Sequence, residues 1–463
     1  MGWSRLMKKA THPQDAVSRP MLLTNLPVDI LGCIVELFQD DFSTLRTLSL
    51  VCGLLRPLAH RHLFYQLGIG GDFRFTTSPA VASSRCLQFK DFLISSPSLL
   101  SHVRDLRVYA SFHAQDDWVM KNMEVLTDIL NHFSEAHLEK FYIHSYPGTV
   151  SWKQLSKPFR DAMLNIFSKI QAIDMLGFRD FPIDIFTCCT NLRVLNVDEM
   201  NFADTVATSP NINSLDFKPA IRSLKLFGKL PGIIEILTLS GTLDLSQLET
   251  LDVGMWAKVL DIDPLLHSDQ IRELHLRWFT IGSTNIDFGL HQQNDLSQLD
   301  QLTVIRLNTC WMGGVQASEI HWIANTLDSI HGHRLTSVEL TLFVYFEPQG
   351  GEFEALHVLS ASLARLSKHL RVLKKISLSI WLIRYTEDLP AVEEGIRKQV
   401  HSDWERNDEL FLLKVVRAPG SGGRPQRRCK LYSNHVCLLI LASRICVSFF
   451  REGPTGPRWL SSG

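Results

Sequence analysis

The feature that most constrains the fold of this chain is a short apolar pattern, nine occurrences of which are spread at repeat-like intervals between residues 103 and 378. The pattern is an apolar residue, two others, a second apolar residue, one other, and a third apolar residue. It occupies residues 103–108, 138–143, 192–197, 221–226, 248–253, 271–276, 302–307, 335–340 and 373–378. Each occurrence ends in strand-like alternation, and amphipathic helical stretches precede several of them. The pattern therefore predicts repeated units of helix, turn and short strand.

Because 45% of the residues are hydrophobic, many matches to the pattern would arise by chance. The prediction therefore depends on the spacing of the matches and not on their number. Successive matches from residue 192 to residue 335 start 29, 27, 23, 31 and 33 residues apart, near or slightly above the period of leucine-rich repeats. We expect an α/β fold in which residues 103–417 form an irregular leucine-rich-repeat-like solenoid with parallel short strands. The alternative is a non-repetitive α/β or α+β domain with the same strands.

Polar residues alternate with the apolar ones in these predicted strands. The residue between the second and third apolar positions, and the one two positions further on, should point away from the core. These side chains are charged and of mixed sign, which suits recognition of another protein. The candidate target-binding residues are Asn196, Asp198, Lys225, Asp252, His275, Arg277, Arg306, Asn308 and Glu339. The alternative is that they form a solvated strand face without a ligand.

A separate segment, residues 21–67, has helical rather than strand-like spacing. A first helix is expected just after Pro27, and a second from about Ser43 to Arg56, where Pro57 should end it. A segment of about forty residues with this many apolar side chains cannot bury all of them internally. Either the rest of the chain or a partner protein should cover them.

This segment contains Leu-Pro-Val-Asp-Ile-Leu at 26–31, Leu-Ser-Leu-Val-Cys at 48–52, and Leu-Phe at 63–64. These blocks, in this order, resemble the F-box of fungal, basidiomycete-type proteins, in many of which a degenerate leucine-rich-repeat-like region follows. Leu55 departs from the family, because many F-boxes carry Trp there. The resemblance implies docking on the Skp-type adaptor of a cullin-RING ubiquitin ligase. The adaptor-binding residues that it implies are Leu26, Pro27, Ile30, Leu31, Ile34, Leu48, Val51, Cys52 and Leu55.

The function that the resemblance implies is that of a substrate-recognition subunit of an SCF-type ligase, with an unknown target protein held on the repeat region. Two alternatives stay open. The helical segment could be a cap that covers the end of a larger domain. The protein could also be a non-catalytic scaffold that is not linked to ubiquitination.

Several other functions lack support in the sequence. A formal net charge of −1 supplies no general attraction to nucleic acid. None of the nine cysteines lies in a Cys-x-x-Cys pair, so neither a zinc site nor a disulfide framework is predicted. The common local motifs of hydrolases, nucleotide-binding loops and zinc proteases do not occur. We therefore expect no enzymatic activity, no cofactor and no metal.

The two ends of the sequence have compositions of their own. Residues 1–20 lack the apolar stretch of a secretory signal, which favours a disordered lead and a cytoplasmic or nuclear protein. Residues 68–102 are expected to be a linker and a first helix. Residues 418–463 form a basic and then apolar tail whose run 436–450 is shorter than the ~20 residues that span a bilayer. We expect a dispensable flexible tail and no membrane segment, with a buried strand or a gene-model artefact as the alternatives for the apolar run.

Overall fold

The computed structural model describes residues 26–70, 79–109, 118–145, 150–203, 218–228, 241–255, 268–279, 295–311, 318–344, 352–382, 389–401 and 410–417, with the single positions 234, 237, 262, 265 and 266. The predicted N-terminal lead and the C-terminal tail lie outside these residues. The chain divides into two compact units between Tyr65 and Gln66.

The first unit is a helical module of three short helices, α1 (Val28–Glu36), α2 (Phe42–Val51) and α3 (Leu55–Leu63). Its core consists of Leu31, Val35, Leu45, Leu55, Ala59 and Leu63. The side chain of Asp41 caps α2 by accepting a hydrogen bond of 3.1 Å from the backbone N–H of Thr44.

The predicted end of the second helix at Arg56 is wrong. Helix α2 ends at Val51, and Cys52 has an extended backbone. Pro57 lies in the first turn of α3, where its missing N–H has no intrahelical partner to lose. The proline therefore belongs to the start of a third helix and does not terminate the second.

The second unit contains a parallel sheet of twelve strands whose spatial order is also their chain order. The strands are β1 (Gln66–Gly70), β2 (Asp105–Tyr109), β3 (Lys140–His144), β5 (Ala172–Leu176), β7 (Val194–Asp198), β8 (Ser223–Gly228), β9 (Thr250–Met255), β10 (Glu273–Phe279), β11 (Val304–Trp311), β12 (Ser337–Val344), β13 (Lys375–Leu382) and β14 (Phe411–Arg417). Two further short strands, β4 (Val150–Ser151) and β6 (Phe178–Arg179), pair with each other. Each repeat thus adds one strand next to the previous one, as in a solenoid.

Helices form many of the return segments between strands. They are α4 (Pro79–Ser95), α5 (Trp118–Lys121), α6 (Met123–His132), α7 (Lys157–Phe167), α8 (Ser318–Asp328), α9 (Glu352–His369) and α10 (Leu389–His401). Helix α6 contacts both α4 and α7, and α9 contacts both α8 and α10. Neighbouring return segments therefore stack on each other as the strands do, and one continuous apolar core runs through the unit.

The nine recurrences of the sequence pattern all contain a strand of this sheet, and each strand begins two residues after the first apolar position. All the strand pairs are parallel, as predicted. Leu195, Leu224, Leu251 and Leu274 are buried, which confirms that the second apolar position faces the core. The predicted α/β fold with a sheet of parallel short strands is therefore confirmed.

Three strands of the twelve-stranded sheet were not predicted. Strand β1 covers residues 66–70. The predicted boundaries put residues 66 and 67 in the helical segment and residues 68–70 in a linker. Both β1 and β5 follow the same apolar pattern, which begins at Phe64 and at Ile170. Phe64 belongs to the segment with helical spacing, and Ile170 ends an amphipathic stretch, residues 158–170, that predicts a helix, so neither residue was interpreted as the start of a strand. Strand β14 lacks the first apolar residue, because Asp408 occupies that position.

Candidate functional site

The face of the sheet opposite the core carries two rows of aligned side chains, because successive residues of a strand point to opposite faces. Row 1 is Arg107, Tyr142, Asp174, Asn196, Lys225, Asp252, His275, Arg306, Glu339 and Ser377. Row 2, two residues further along each strand, is Tyr109, His144, Leu176, Asp198, Phe227, Gly254, Arg277, Asn308, Thr341 and Ser379.

The nine candidate target-binding residues from the sequence all lie in these rows, on the consecutive strands β7 to β12. Six belong to row 1, and Asp198, Arg277 and Asn308 belong to row 2. The structure thus brings them onto one face. Sequence reasoning missed Asp174 and His144, because β5 was not recognised as a strand and His144 lies beyond the predicted end of β3.

Asp252 is the centre of a hydrogen-bonded group on β9, β10 and β11. Its Oδ2 accepts a 2.6 Å hydrogen bond from Arg277 Nη2, and its Oδ1 lies 3.4 Å from His275 Nδ1. Asn308 Nδ2 lies 2.9 Å from His275 Nε2. Burial alone would raise the pKa of Asp252, but the hydrogen bond from His275 and the charge of Arg277 hold it well below its usual range. Burial lowers the pKa of His275, so at neutral pH Arg277 supplies the positive charge.

Asp174 organises a second group towards the N-terminal end of the sheet. Its Oδ1 lies 2.7 Å from His144 Nε2, and its Oδ2 accepts a 3.1 Å hydrogen bond from Asn196. Burial opposes ionisation, but His144 and the Asn196 amide outweigh it and lower the pKa of Asp174 to about 2. The rings of Tyr109 and Tyr142 lie 5.6 and 6.3 Å from that of His144. These contacts fix the side chains of row 1 and row 2 against one another.

At the other end of the face, ion pairs link neighbouring strands. Arg306 contacts Glu273 at 3.3 Å and Glu339 at 3.0 Å, and Lys375 contacts Glu339 at 2.9 Å. These groups are partly exposed to water, so each pair adds little stability. They remain accessible to a partner protein, whose complementary charges could set binding specificity at this end of the face.

The implied adaptor-binding residues of the helical module differ in accessibility. Leu31 and Leu55 are buried in the core of the module, so their side chains stabilise its fold and are not presented at its surface. Pro27, Ile30 and Val51 are exposed. The half-buried members are Leu26, Ile34, Leu48 and Cys52. Further exposed apolar residues of the module, which the F-box resemblance did not assign to the adaptor contact, are Val28, Leu37, Leu50 and Leu54.

Two kinds of site are absent from the described residues. No group of three or more His, Cys, Asp and Glu side chains there is arranged to hold a metal ion. None of the helices in that part of the chain combines the length and the apolar character needed to cross a membrane.

The strand order and the register define this chain as a repeat protein with a polar sheet face, joined to a helical module. No protein-family model matches it, and no curated protein matches it. Among solved structures it is similar to an internalin from Listeria monocytogenes, with 12% sequence identity over 81% of this chain and 97% of that one, at a TM-score of 0.27. A TM-score this low supports no argument, so the repeat architecture rests on the sheet itself.

Proposed function

We propose that this chain is the substrate-recognition subunit of a cullin-RING ubiquitin ligase. The helical module docks on the Skp-type adaptor, as its resemblance to an F-box implies. The polar face of the sheet binds a target protein. The chain then acts by proximity, since it raises the effective concentration of the target near the ubiquitin-charged enzyme and needs no covalent chemistry of its own.

The observation that carries this proposal is the exposed apolar surface of the helical module. Of the twelve large hydrophobic residues that are exposed in the described structure, seven lie in this module: Val28, Ile30, Leu37, Leu50, Val51, Leu54 and Tyr65. Exposed apolar residues concentrated in this way mark interaction surfaces.

Helix α1 has apolar residues on two faces. Leu31 and Val35 face the core, whereas Ile30, Ile34 and Leu37 follow the i, i+4, i+7 spacing of a second stripe. Leu37 is 82% exposed, so no described part of the chain covers the end of this stripe. A stripe of this kind suits a groove or a helix on a partner protein.

A binding assay with purified Skp-type adaptor and the full chain tests this proposal. We expect a dissociation constant of about 1 μM or lower, which corresponds to about −8 kcal/mol. Leu37→Asp and Leu50→Asp should each weaken binding by about tenfold or more, because each would place a charge in an apolar contact, at about 1.4 kcal/mol per factor of ten. Leu26→Ala combined with Pro27→Ala should have a similar effect, because both positions belong to the F-box-like block.

The matched control is Leu87→Asp, which changes an exposed leucine on α4, outside the module. It should leave adaptor binding unchanged. No binding by the wild-type chain, or equal weakening by all of these variants, would contradict docking through the module.

The second candidate is a non-catalytic scaffold, which the paired, mixed-charge sheet face would also serve. The two candidates differ in what a pull-down from cell extract recovers. Adaptor and cullin together support the ligase subunit, whereas other partners without adaptor or cullin support the scaffold.

A further inference from the structure

The twelve-stranded sheet has two edges in the described structure, β1 and β14, and the two differ in sequence and length. Strand β1 has five residues, two of which are glycines, and Gly70 has a positive φ of 97°. Strand β14 has seven residues, of which 411–416 read Phe-Leu-Leu-Lys-Val-Val. A short edge with glycines resists pairing with another chain, whereas a long apolar edge offers it a row of backbone N–H and C=O groups. The edge of β14 is therefore better suited to receive a further strand.

Side chains on both faces of β14 are less covered than those of its neighbour β13. On the core side, Leu378 and Ile380 of β13 are each 1% exposed, whereas their partners in the register, Leu413 and Val415, are half-buried. On the other face, Leu412 is 57% exposed. A strand added to this edge would remove apolar surface of these side chains from water, which favours its binding.

Lys414 lies at the middle of this edge and gives it a positive charge. Its partner on β13 is Ser379 of row 2, so the lysine lies on the polar face of the sheet. The Lys414 side chain is exposed and forms no ion pair or hydrogen bond among the described residues. Residues directly opposite each other on two strands are stabilised by opposite charges and destabilised by like charges. The edge therefore suits a segment with an acidic residue opposite Lys414 and apolar residues opposite Leu412 and Val416.

Two other occupants of the edge lack this complementary charge. A second copy of the chain that paired its own β14 in full overlap about a two-fold axis would place Lys414 opposite the same residue of the other copy, and like charges in that position are unfavourable. Residues 418–451, which follow β14 in the chain, contain no aspartate or glutamate. The acidic residue must therefore come from another protein.

We propose that the edge of β14 binds an extended segment of the target protein as an additional strand, with an aspartate or glutamate of that segment opposite Lys414. This deepens the proposed function and rests on it, because the edge continues the sheet face that binds the target. Backbone hydrogen bonds to β14 supply affinity, while the side chains opposite Leu412, Lys414 and Val416 determine which segment is accepted.

Selection of a random heptapeptide phage library on the immobilised full chain tests this proposal. The selected peptides should share one position that is enriched in aspartate and glutamate by up to about fivefold over the input library, the ratio that a cross-strand pair of opposite charges gives. Apolar residues should recur two positions before and two positions after it, because those residues would lie opposite Leu412 and Val416.

Lys414→Glu reverses the charge of the edge and leaves its backbone groups in place. Its selected peptides should carry lysine or arginine at the position where the wild type selects an acidic residue. The matched control is Lys398→Glu, which makes the same change at an exposed lysine of α10 and should retain the acidic preference. A purely structural role of Lys414 gives no reason for the selected charge to change sign.

The most enriched peptide distinguishes strand addition from other modes of binding. Successive N–H groups of a strand point to opposite sides, so only alternate ones can donate to β14. Methylation of each backbone nitrogen in turn should therefore weaken binding by about two- to tenfold at every second position, the effect of one lost hydrogen bond, and by less than about twofold at the others. Fluorescence anisotropy with the wild-type chain measures these affinities, so this test does not depend on the folding of a variant.

Three outcomes would overturn the proposal: methylation effects without a two-residue period, an acidic preference that persists in Lys414→Glu, and a wild-type chain that selects no acidic peptide. In the last case, residues 418–463 or a second copy would be the occupants of the edge to test next. The selection involves no adaptor, so each of these outcomes is distinguishable from a failure of the helical module to dock.

Discussion

At the scale of single residues, the charges of the sheet face differ in whether their partners lie within the chain. Both carboxylate oxygens of Asp252 have a partner within the chain, Arg277 Nη2 at 2.6 Å from Oδ2 and His275 Nδ1 at 3.4 Å from Oδ1. Arg277 is itself buried, with only 8% of its surface exposed. Because the two charges are taken out of water together, removal of one leaves the other uncompensated.

Asp252→Asn should therefore lower the free energy of unfolding by about 3 kcal/mol at pH 7, because it leaves the Arg277 guanidinium buried without a counter-charge. Urea denaturation measures this loss. The matched control is Glu273→Gln, which removes a partly exposed partner of Arg306 and should cost less than about 1 kcal/mol. Equal losses for the two variants would show that Arg277 finds water or another partner.

The same variant has a defined pH dependence. The pKa of Asp252 is lower in the folded chain than its usual value of 3.8. A lowered pKa contributes stability that is present above the unfolded value and is lost as pH falls below it. The stability difference between the wild type and Asp252→Asn should therefore be largest near pH 7 and should shrink between pH 4 and pH 3. A difference that stays constant over this range would contradict the assignment.

At the scale of elements, the apolar pattern predicts strands well because the positions that it records are those that contact the core. Leu224 and Leu251 face the core from adjacent strands. Each of these positions must hold an apolar side chain for neighbouring repeats to pack on one another. The residue between the second and third apolar positions must face away from the core, because successive residues of a strand point to opposite faces. The row 1 position of each of the nine recurrences, such as Asp252, could therefore be predicted from the sequence.

The pairing within the face could not be predicted in the same way. Whether Asp252 contacts Arg277 depends on the register of two strands that are separated by a return segment of variable length. Asp198 and Asp252 each follow an apolar residue of the strand pattern, yet Asp198 Oδ1 lacks a donor among the described residues whereas Asp252 is held by Arg277 and His275. The difference arises from the cross-strand neighbours, and no local pattern records them.

The contact between β8 and β9 gives a prediction for a pair of neighbouring strands. Gly254→Ala should cost about 1–3 kcal/mol, because the new Cβ overlaps the Phe227 ring and forces it to move. In a Phe227→Ala background the same substitution should cost much less, and a double-mutant cycle in urea measures this coupling. Equal costs in the two backgrounds would mean that the ring is not held against Gly254.

At the scale of the whole molecule, the order of the strands decides how far a local change spreads. Each strand in the sheet pairs only with its neighbours in the chain order, from β1 to β14. The stability of such an array approximates a sum of repeat terms and nearest-neighbour terms. A defect in one repeat should therefore weaken that repeat and its neighbours most, while distant strands keep their protection.

Leu224→Ala tests this expectation, since Leu224 is fully buried on β8. It should cost about 2–5 kcal/mol, because it leaves a cavity in the core. Amide hydrogen exchange should speed up most in β7, β8 and β9, and least in β2 and β13, which lie far from β8 in the strand order. Leu412→Ala on β14 is the matched control, and it should change exchange little because Leu412 is exposed. A uniform rise of exchange in all twelve strands would show instead that the sheet opens as one cooperative unit.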